Sequence, residues 1–254
     1  MLARFRDTTN ANALRRRFGG DFDPAMYGTL VLWLDAADVD GTGTNPSNGT
    51  QIISWKDKSG LGNHATKTQV TPVLDSTGVN SKPGIFLSGA VTPVAFRGAL
   101  ANTGSVVTTF VVATLNTETE TYGRLVSLAG DTGDDYLSNS FVIPFIRDFN
   151  GQGVAGFRNN SKLSTKAIPE YDTPFYATSI FDNTNNTVYV NGTAATSVAS
   201  TGSFAITKYA IGTQPTTNDG LWCGYVSEVL IYNSALSTAN RQAVEAYLAT
   251  KWGI

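Results

Sequence analysis

Three of the carboxylate groupings in this 254-residue chain are candidates for chemistry. Glu118 and Glu120 flank a Thr-rich stretch, Glu170 and Asp172 precede Pro174, and Asp131, Asp134 and Asp135 crowd one Gly-containing turn. Two carboxyl groups about 5–5.5 Å apart can hydrolyse a glycosidic bond, one as nucleophile and one as acid/base. Three carboxylates on one loop suit a hard cation instead, because such ions prefer oxygen ligands. Asp131, Asp134 and Asp135 are therefore the candidate metal ligands, with calcium the ion they would suit. A solvated turn explains the same residues, since Asp and Gly are ordinary turn formers. No other motif calls for a cofactor.

His64 is the only histidine and Cys223 the only cysteine. A Ser-His-Asp or Cys-His site would have to use His64, yet it sits in the turn Gly60–His64 with no Gly-x-Ser-x-Gly elbow elsewhere. One His and one Cys do not make a zinc site. Sugar binding would need exposed aromatics beside amide and carboxyl groups, and Trp222, Tyr136 and Tyr122 are the candidates, although a core could claim all three.

Charge is sparse and unevenly placed. Lys, Arg, Asp and Glu make up 15% of the chain, which carries a net −2. Residues 1–20 hold Arg4, Arg6, Arg15, Arg16 and Arg17 against Asp7, so a basic arm precedes an acidic body. Five Arg, with no aromatic platform among them, are few for nucleic acid, so none is expected as a partner. Arg pairs well at protein interfaces, and the five are expected to anchor the arm to a neighbouring protein. No run of apolar residues is long enough for a membrane helix, and no membrane partner is expected. The first ten residues lack the apolar core of a secretory signal.

The body must be built mainly of strands. The chain has 33 Thr, 19 Asn and 25 Gly, a composition of β-branched and turn-forming residues. Short apolar runs at Leu30–Leu34, Ile52–Trp55, Gly84–Leu87, Val106–Leu115, Arg124–Ser127, Phe141–Phe145, Gly153–Phe157, Tyr176–Phe181, Thr187–Val190, Phe204–Ile211 and Val226–Tyr232 predict strands. That number of short strands predicts a sandwich or barrel. One helix is expected at the C-terminus, capped by Ser237, with Val244, Tyr247, Leu248 and Trp252 on one stripe and Gly253 ending it. In Val226–Tyr232, strict alternation puts Val229 and Ile231 on one face and Val226, Glu228, Leu230 and Tyr232 on the other.

Three segments resemble the concanavalin A-like lectin/glucanase superfamily in its laminin-G-like or pentraxin-like branch. They are Trp33–Asp38 with Trp55–Ala65, then Val188–Gly192, then Gly224–Ser237 leading into the terminal helix. The resemblance covers roughly residues 29–254. It implies an all-β fold, a two-sheet antiparallel jelly-roll sandwich, and makes Glu228 a structural hydrogen-bonding partner. It does not imply one function. Related glucanases use Glu-x-Asp-x-x-Glu, and the nearest match here, Glu170–Phe175, lacks the final Glu.

The expected organisation is an arm over residues 1–28 and a sandwich over 29–254. The expected function is a non-enzymatic structural protein on a bacteriophage virion surface, as a capsid decoration, fibre or tail-associated protein, with glycan recognition as an added role. Its partners would be neighbouring capsid proteins, held through the arm, and a cell-surface glycan; homo-oligomerisation stays open. The alternative is an extracellular carbohydrate-binding or adhesion module of a bacterial surface protein. Glycoside hydrolysis comes third, and no cleavage of β-glucans is expected.

Overall fold

The structure is a computed structural model that describes residues 22–27, 29–88, 93–116, 123–130, 140–146, 153–158, 161–200 and 205–254. After a single 3-10 turn at Pro24–Tyr27 come the first strands, β1 (Leu30–Asp35), β2 (Ser54–Trp55), β3 (Ala65–Lys67), β4 (Val73–Val79), β5 (Lys82–Leu87) and β6 (Phe96–Thr103). The middle of the chain gives β7 (Val107–Leu115), β8 (Arg124–Ala129), β9 (Ser140–Ile146), β10 (Gly153–Arg158) and β11 (Ser161–Ala167). The rest gives β12 (Phe175–Phe181), β13 (Asn185–Val190), β14 (Thr193–Ala194), β15 (Val198–Ala199), β16 (Ile206–Ile211), β17 (Gly224–Tyr232) and helix α1 (Thr238–Trp252).

Among the described residues these strands form two antiparallel sheets. The first runs β14-β13-β12-β7-β17-β5-β4, with β1 also paired to β17 and β15 to β13. The second runs β11-β10-β9-β8-β16-β6-β3-β2. This is the all-β, two-sheet arrangement with one C-terminal helix that the sequence predicts.

Strands β7 and β17 are the axis of the first sheet. All nine residues of β7 are buried, as are all of β17 except Tyr225. A strand can be apolar on both faces only if both are covered. One face carries α1; Trp252 and Tyr247 of the helix donate hydrogen bonds to Glu228 of β17, and Thr178 of β12 donates to Glu245. The opposite face is left for the second sheet.

The strict alternation expected for β17 is corrected by one bulge. Val226 pairs with Ala113 and Glu228 with Val112, so Ser227 is an extra residue. Val226 therefore joins the face of Val229 and Ile231, while Tyr225 shares the face of Glu228.

Helix α1 forms where the sequence places it. The Ser237 hydroxyl accepts a hydrogen bond from the Asn240 N–H at 3.3 Å, and Gly253 closes the helix in a left-handed conformation at φ 73°. Val244, Leu248 and Trp252 are fully buried. Ser237→Ala is expected to cost about 1 kcal/mol and to lower the melting temperature by about 2–4 °C, measured by thermal unfolding.

Residues 22–27 pack on the body. The Phe22 ring lies 5.3 Å from Tyr247, and the Tyr232 hydroxyl donates to the Pro24 carbonyl at 3.0 Å. Arg4, Arg6, Arg15, Arg16 and Arg17 lie outside the described residues.

Candidate functional site

Four strand ends and one turn meet at a corner of the first sheet. In register, Tyr225 of β17 lies between Thr114 of β7 and Phe86 of β5, and Phe86 lies beside Val73 of β4. Directly paired residues point to the same face, so these four side chains form a row. The Phe86 and Tyr225 rings are 5.2 Å apart and tilted at 59°. Glycine clears space for Tyr225: a Cβ on Gly78 would come within 2.6 Å of its ring. Val73 is 36% exposed, so the row opens to solvent at that end.

Carboxylates flank this row. The Tyr225 hydroxyl donates to Asp75 Oδ2 at 2.8 Å, while Asp75 Oδ1 accepts from the Thr77 N–H and hydroxyl. The Thr77 N–H holds the Asp75 carboxyl below the usual carboxylate range, against partial burial; the Tyr225 hydroxyl also helps. On the other side stands the turn Glu170–Thr173, closed by the Thr173 N–H on the Glu170 carbonyl at 3.2 Å. Asp172 takes the left-handed position of this turn at φ 58°, and its N–H donates to the Leu115 carbonyl at the end of β7. Asn116 Nδ2 then donates to Asp172 Oδ1 at 2.8 Å.

A cavity of about 440 Å³ opens beside this turn, with Ile168, Pro169, Glu170 and Tyr171 in its wall. Tyr171 is 37% exposed. Two buried polar atoms at the corner, Thr114 Oγ1 and Asn116 Oδ1, have no hydrogen-bond partner among the described residues. Such groups ordinarily cost about 1–3 kcal/mol each. A buried water would satisfy them.

Tyr225 reports the local field. Burial pushes its phenol up to about 12, aided by the hydrogen bond to Asp75 and by the charges of Asp75 and Asp172. A phenol whose folded pKa is raised stabilises the fold fully below its ordinary value of 10, and that contribution disappears as pH rises through about 12. In Asp75→Asn the Tyr225 phenolate is expected to form at lower pH, moving from about 12 back toward 10, as read by ultraviolet titration. An unchanged titration would show that Asp75 does not govern the ring.

This corner can hold a ring by its apolar face and hydroxyls by its edges. Aromatic faces at Tyr225, Phe86 and Tyr171 supply the first, and Asp75, Asp172, Glu170 and Asn116 supply acceptors and a donor. Glu170 and Asp172 also bring two carboxylates into one turn beside the cavity, the residue types that glycoside hydrolysis requires.

A second polar cluster lies under α1. Glu228 is fully buried and accepts hydrogen bonds from Trp33 Nε1, Tyr247, Trp252 Nε1 and Lys251 Nζ. With every donor coming from the protein itself, this carboxylate fastens helix to sheet.

The sites expected from sequence fare differently. Trp222 is fully buried in the core and presents no open face for stacking, which corrects its place among the candidate sugar platforms. Tyr136, Tyr122, Asp131, Asp134 and Asp135 lie outside the described residues, as do Glu118 and Glu120. Among the described residues no group of His, Cys, Asp and Glu could hold a metal. His64 Nδ1 accepts the Asp57 N–H at 3.0 Å, a turn-fixing role, and Cys223 is buried. Among the described residues no helix is long and apolar enough to cross a membrane. Sequence reasoning missed Tyr225, Phe86, Asp75 and Asn116. Tyr225-Val226 does open the apolar run of β17, but nothing in the sequence brings Asp75, 150 residues away, to its hydroxyl.

No protein-family model and no curated protein sequence matches the chain. Solved structures do. Domain 4 of an extracellular family-43 arabinanase from Geobacillus stearothermophilus, in complex with arabinotriose, is similar with a TM-score of 0.58 at 15% identity, covering 85% of this chain and 97% of that one. A Trypanosoma rangeli sialidase in complex with sialic acid gives a TM-score of 0.58 at 14% identity; the match covers 88% of this chain but only 33% of the sialidase. A mutant family-54 α-L-arabinofuranosidase soaked with 4-nitrophenyl α-L-arabinofuranoside gives 0.66 at 12%, over 91% of this chain and 65% of that one. At these identities the likeness establishes a shared β-sandwich.

Two expectations are corrected by these neighbours. They come from an arabinanase, a sialidase and an arabinofuranosidase, solved with sugars or a substrate-like glycoside. That overturns the non-enzymatic expectation, and with it the role as a bacteriophage virion structural protein. A basic arm that suits a neighbouring protein does not bear on what the sandwich binds.

Proposed function

We propose that this chain binds carbohydrate at the corner formed by Tyr225, Phe86, Asp75, Asp172 and Asn116, beside the cavity at Ile168–Tyr171. The observation that carries the reading is the row of aromatic faces flanked by acceptors on both sides. The segments that resemble the lectin/glucanase superfamily support it. So does the arabinotriose-bound domain, which this chain matches over nearly all of that domain's length.

A second reading, glycoside hydrolysis, is favoured by Glu170 and Asp172 sharing the turn at the cavity. One experiment tests both. The purified chain is incubated with arabino-, xylo-, galacto- and gluco-oligosaccharides, and bound ligand and released product are measured together. Saturable binding supports the proposal, and product release that stops in Glu170→Gln supports the second reading. Neither binding nor release with any probe would defeat both.

A further inference from the structure

We infer that this corner selects neutral glycans and rejects those bearing carboxylates, such as sialylated or uronic-acid sugars. The inference deepens the proposed function and rests on it, but it follows from a separate set of observations, the charges.

Asp75, Glu170 and Asp172 stand on two sides of the same site, and no lysine or arginine pairs with any of them among the described residues. The charges acting on the Tyr225 hydroxyl come from Asp75 and Asp172, with no cation opposing them. Asp75 is likewise held in its charged form by neutral donors, the Thr77 N–H first and the Tyr225 hydroxyl after it. The local sequence agrees: residues 73–79, 83–88, 110–123, 168–176 and 224–228 contain no Lys or Arg, and Lys82 at the far end of β5 turns its Nζ to the Lys251 carbonyl. Few donors are on offer: the Tyr171 hydroxyl and the second proton of the Asn116 amide, since Asp75 holds the Tyr225 hydroxyl proton and Asp172 the first amide proton. Recognition of a carboxylate sugar ordinarily uses Arg, whose guanidinium matches a carboxylate with two parallel hydrogen bonds. Here the incoming anion would meet uncompensated carboxylates instead, while sugar hydroxyls would find acceptors in them. One third of a sialidase matches this fold. On this inference, its sialic acid chemistry does not transfer.

The test uses the whole chain and matched probes: galacto- and gluco-oligosaccharides against the uronic-acid oligomers of the same sugars, and lactose against sialyllactose, with arabino-oligosaccharides as further neutral probes. Titration calorimetry at pH 7 is expected to show the neutral member of a pair bound at least about tenfold more tightly. Salt gives a second readout that needs no variant. Raising it from about 0.05 M to about 0.5 M screens like-charge repulsion, so any residual binding of the charged member should tighten while the neutral member stays unchanged. Asp172→Asn should narrow the gap between the two. Equal or tighter binding of the charged sugars, or charged binding that weakens with salt, would overturn the inference and leave carbohydrate binding standing. Binding of neither class would remove the proposed function, and this inference with it.

Discussion

Glu228→Ala is expected to lower stability by about 3–5 kcal/mol, the largest effect of any single substitution considered. Its carboxylate is fully buried on β17. One oxygen accepts from Trp33 Nε1 and the Tyr247 hydroxyl, each at 2.8 Å; the other accepts from Trp252 Nε1 at 2.6 Å and Lys251 Nζ at 2.9 Å. Lys251 also pairs with Asp35 at 2.8 Å, and Lys58 joins Asp35 to Asp38 at 3.0 Å each. Alanine would orphan three neutral donors and take one partner from a largely buried ammonium. The cost of breaking such a network exceeds the worth of forming it, because the remaining groups stay desolvated.

The substitution should therefore loosen α1 from the sheet before the sandwich melts. Two tryptophans at the site, Trp33 and Trp252, make the loss visible by fluorescence during denaturant unfolding. A loss below about 1 kcal/mol would mean that the apolar stripe of Val244, Leu248 and Trp252 holds the helix alone. The network also sets an alkaline limit. Burial alone would lower the Lys58 ammonium, but the Asp35 charge and the hydrogen bonds to Asp35 and Asp38 raise it above its ordinary 10.5. A raised lysine stabilises fully below 10.5, and that contribution is lost as pH climbs through the higher folded value.

Tyr225→Ala is expected to weaken glycan binding by roughly tenfold to a hundredfold, or about 1.4–2.8 kcal/mol, the range for truncating an aromatic anchor. Tyr225→Phe keeps the ring and removes the hydroxyl that donates to Asp75, so a loss of only a few-fold is expected. The contrast separates stacking from hydrogen bonding. Asp172→Asn removes an acceptor without touching the aromatic row, and it guards against misreading a folding defect in the alanine variant. Thermal unfolding of each variant accompanies the titration. Equal binding by Tyr225→Ala and the parent chain would place the ligand elsewhere.

Much of the fold was legible because apolar periodicity and turn residues agree locally. Strands β7, β12 and β17 and helix α1 are dense in buried residues and bounded by turn formers such as Asn, Asp, Gly, Pro or Ser. Other strands were missed because they lack that signal. In β4 only Leu74 and Val79 are buried, with Asp75, Ser76 and Thr77 between them. In β6 Gly98 breaks the pattern because the Tyr209 ring needs its space; a Cβ there would come within 2.3 Å. The bulge at Ser227 was unreadable too, since one extra residue leaves no mark on composition yet changes the face that Val226 and Tyr225 occupy.

The site was less legible than the fold. Trp222 suits a sugar platform by residue type, but type alone does not separate a platform from a core ring, and the structure buries it. Glu170 and Asp172 are legible as a carboxylate pair, and the structure places them in the turn that precedes β12. What brings them to Tyr225 is the pairing of β12 and β17 on either side of β7, a long-range register that local sequence does not encode.

The most direct test of carbohydrate recognition at this corner is to see where a bound sugar sits. Backbone amide shifts of the whole chain would be followed by NMR as the best neutral oligosaccharide is added. The account predicts saturable changes centred on Asp75, Thr114, Asn116, Tyr171, Asp172 and Tyr225, abolished together in Tyr225→Ala. Saturable changes centred elsewhere, such as on the loop where Arg97 meets Gln214 and Asn218, would contradict it.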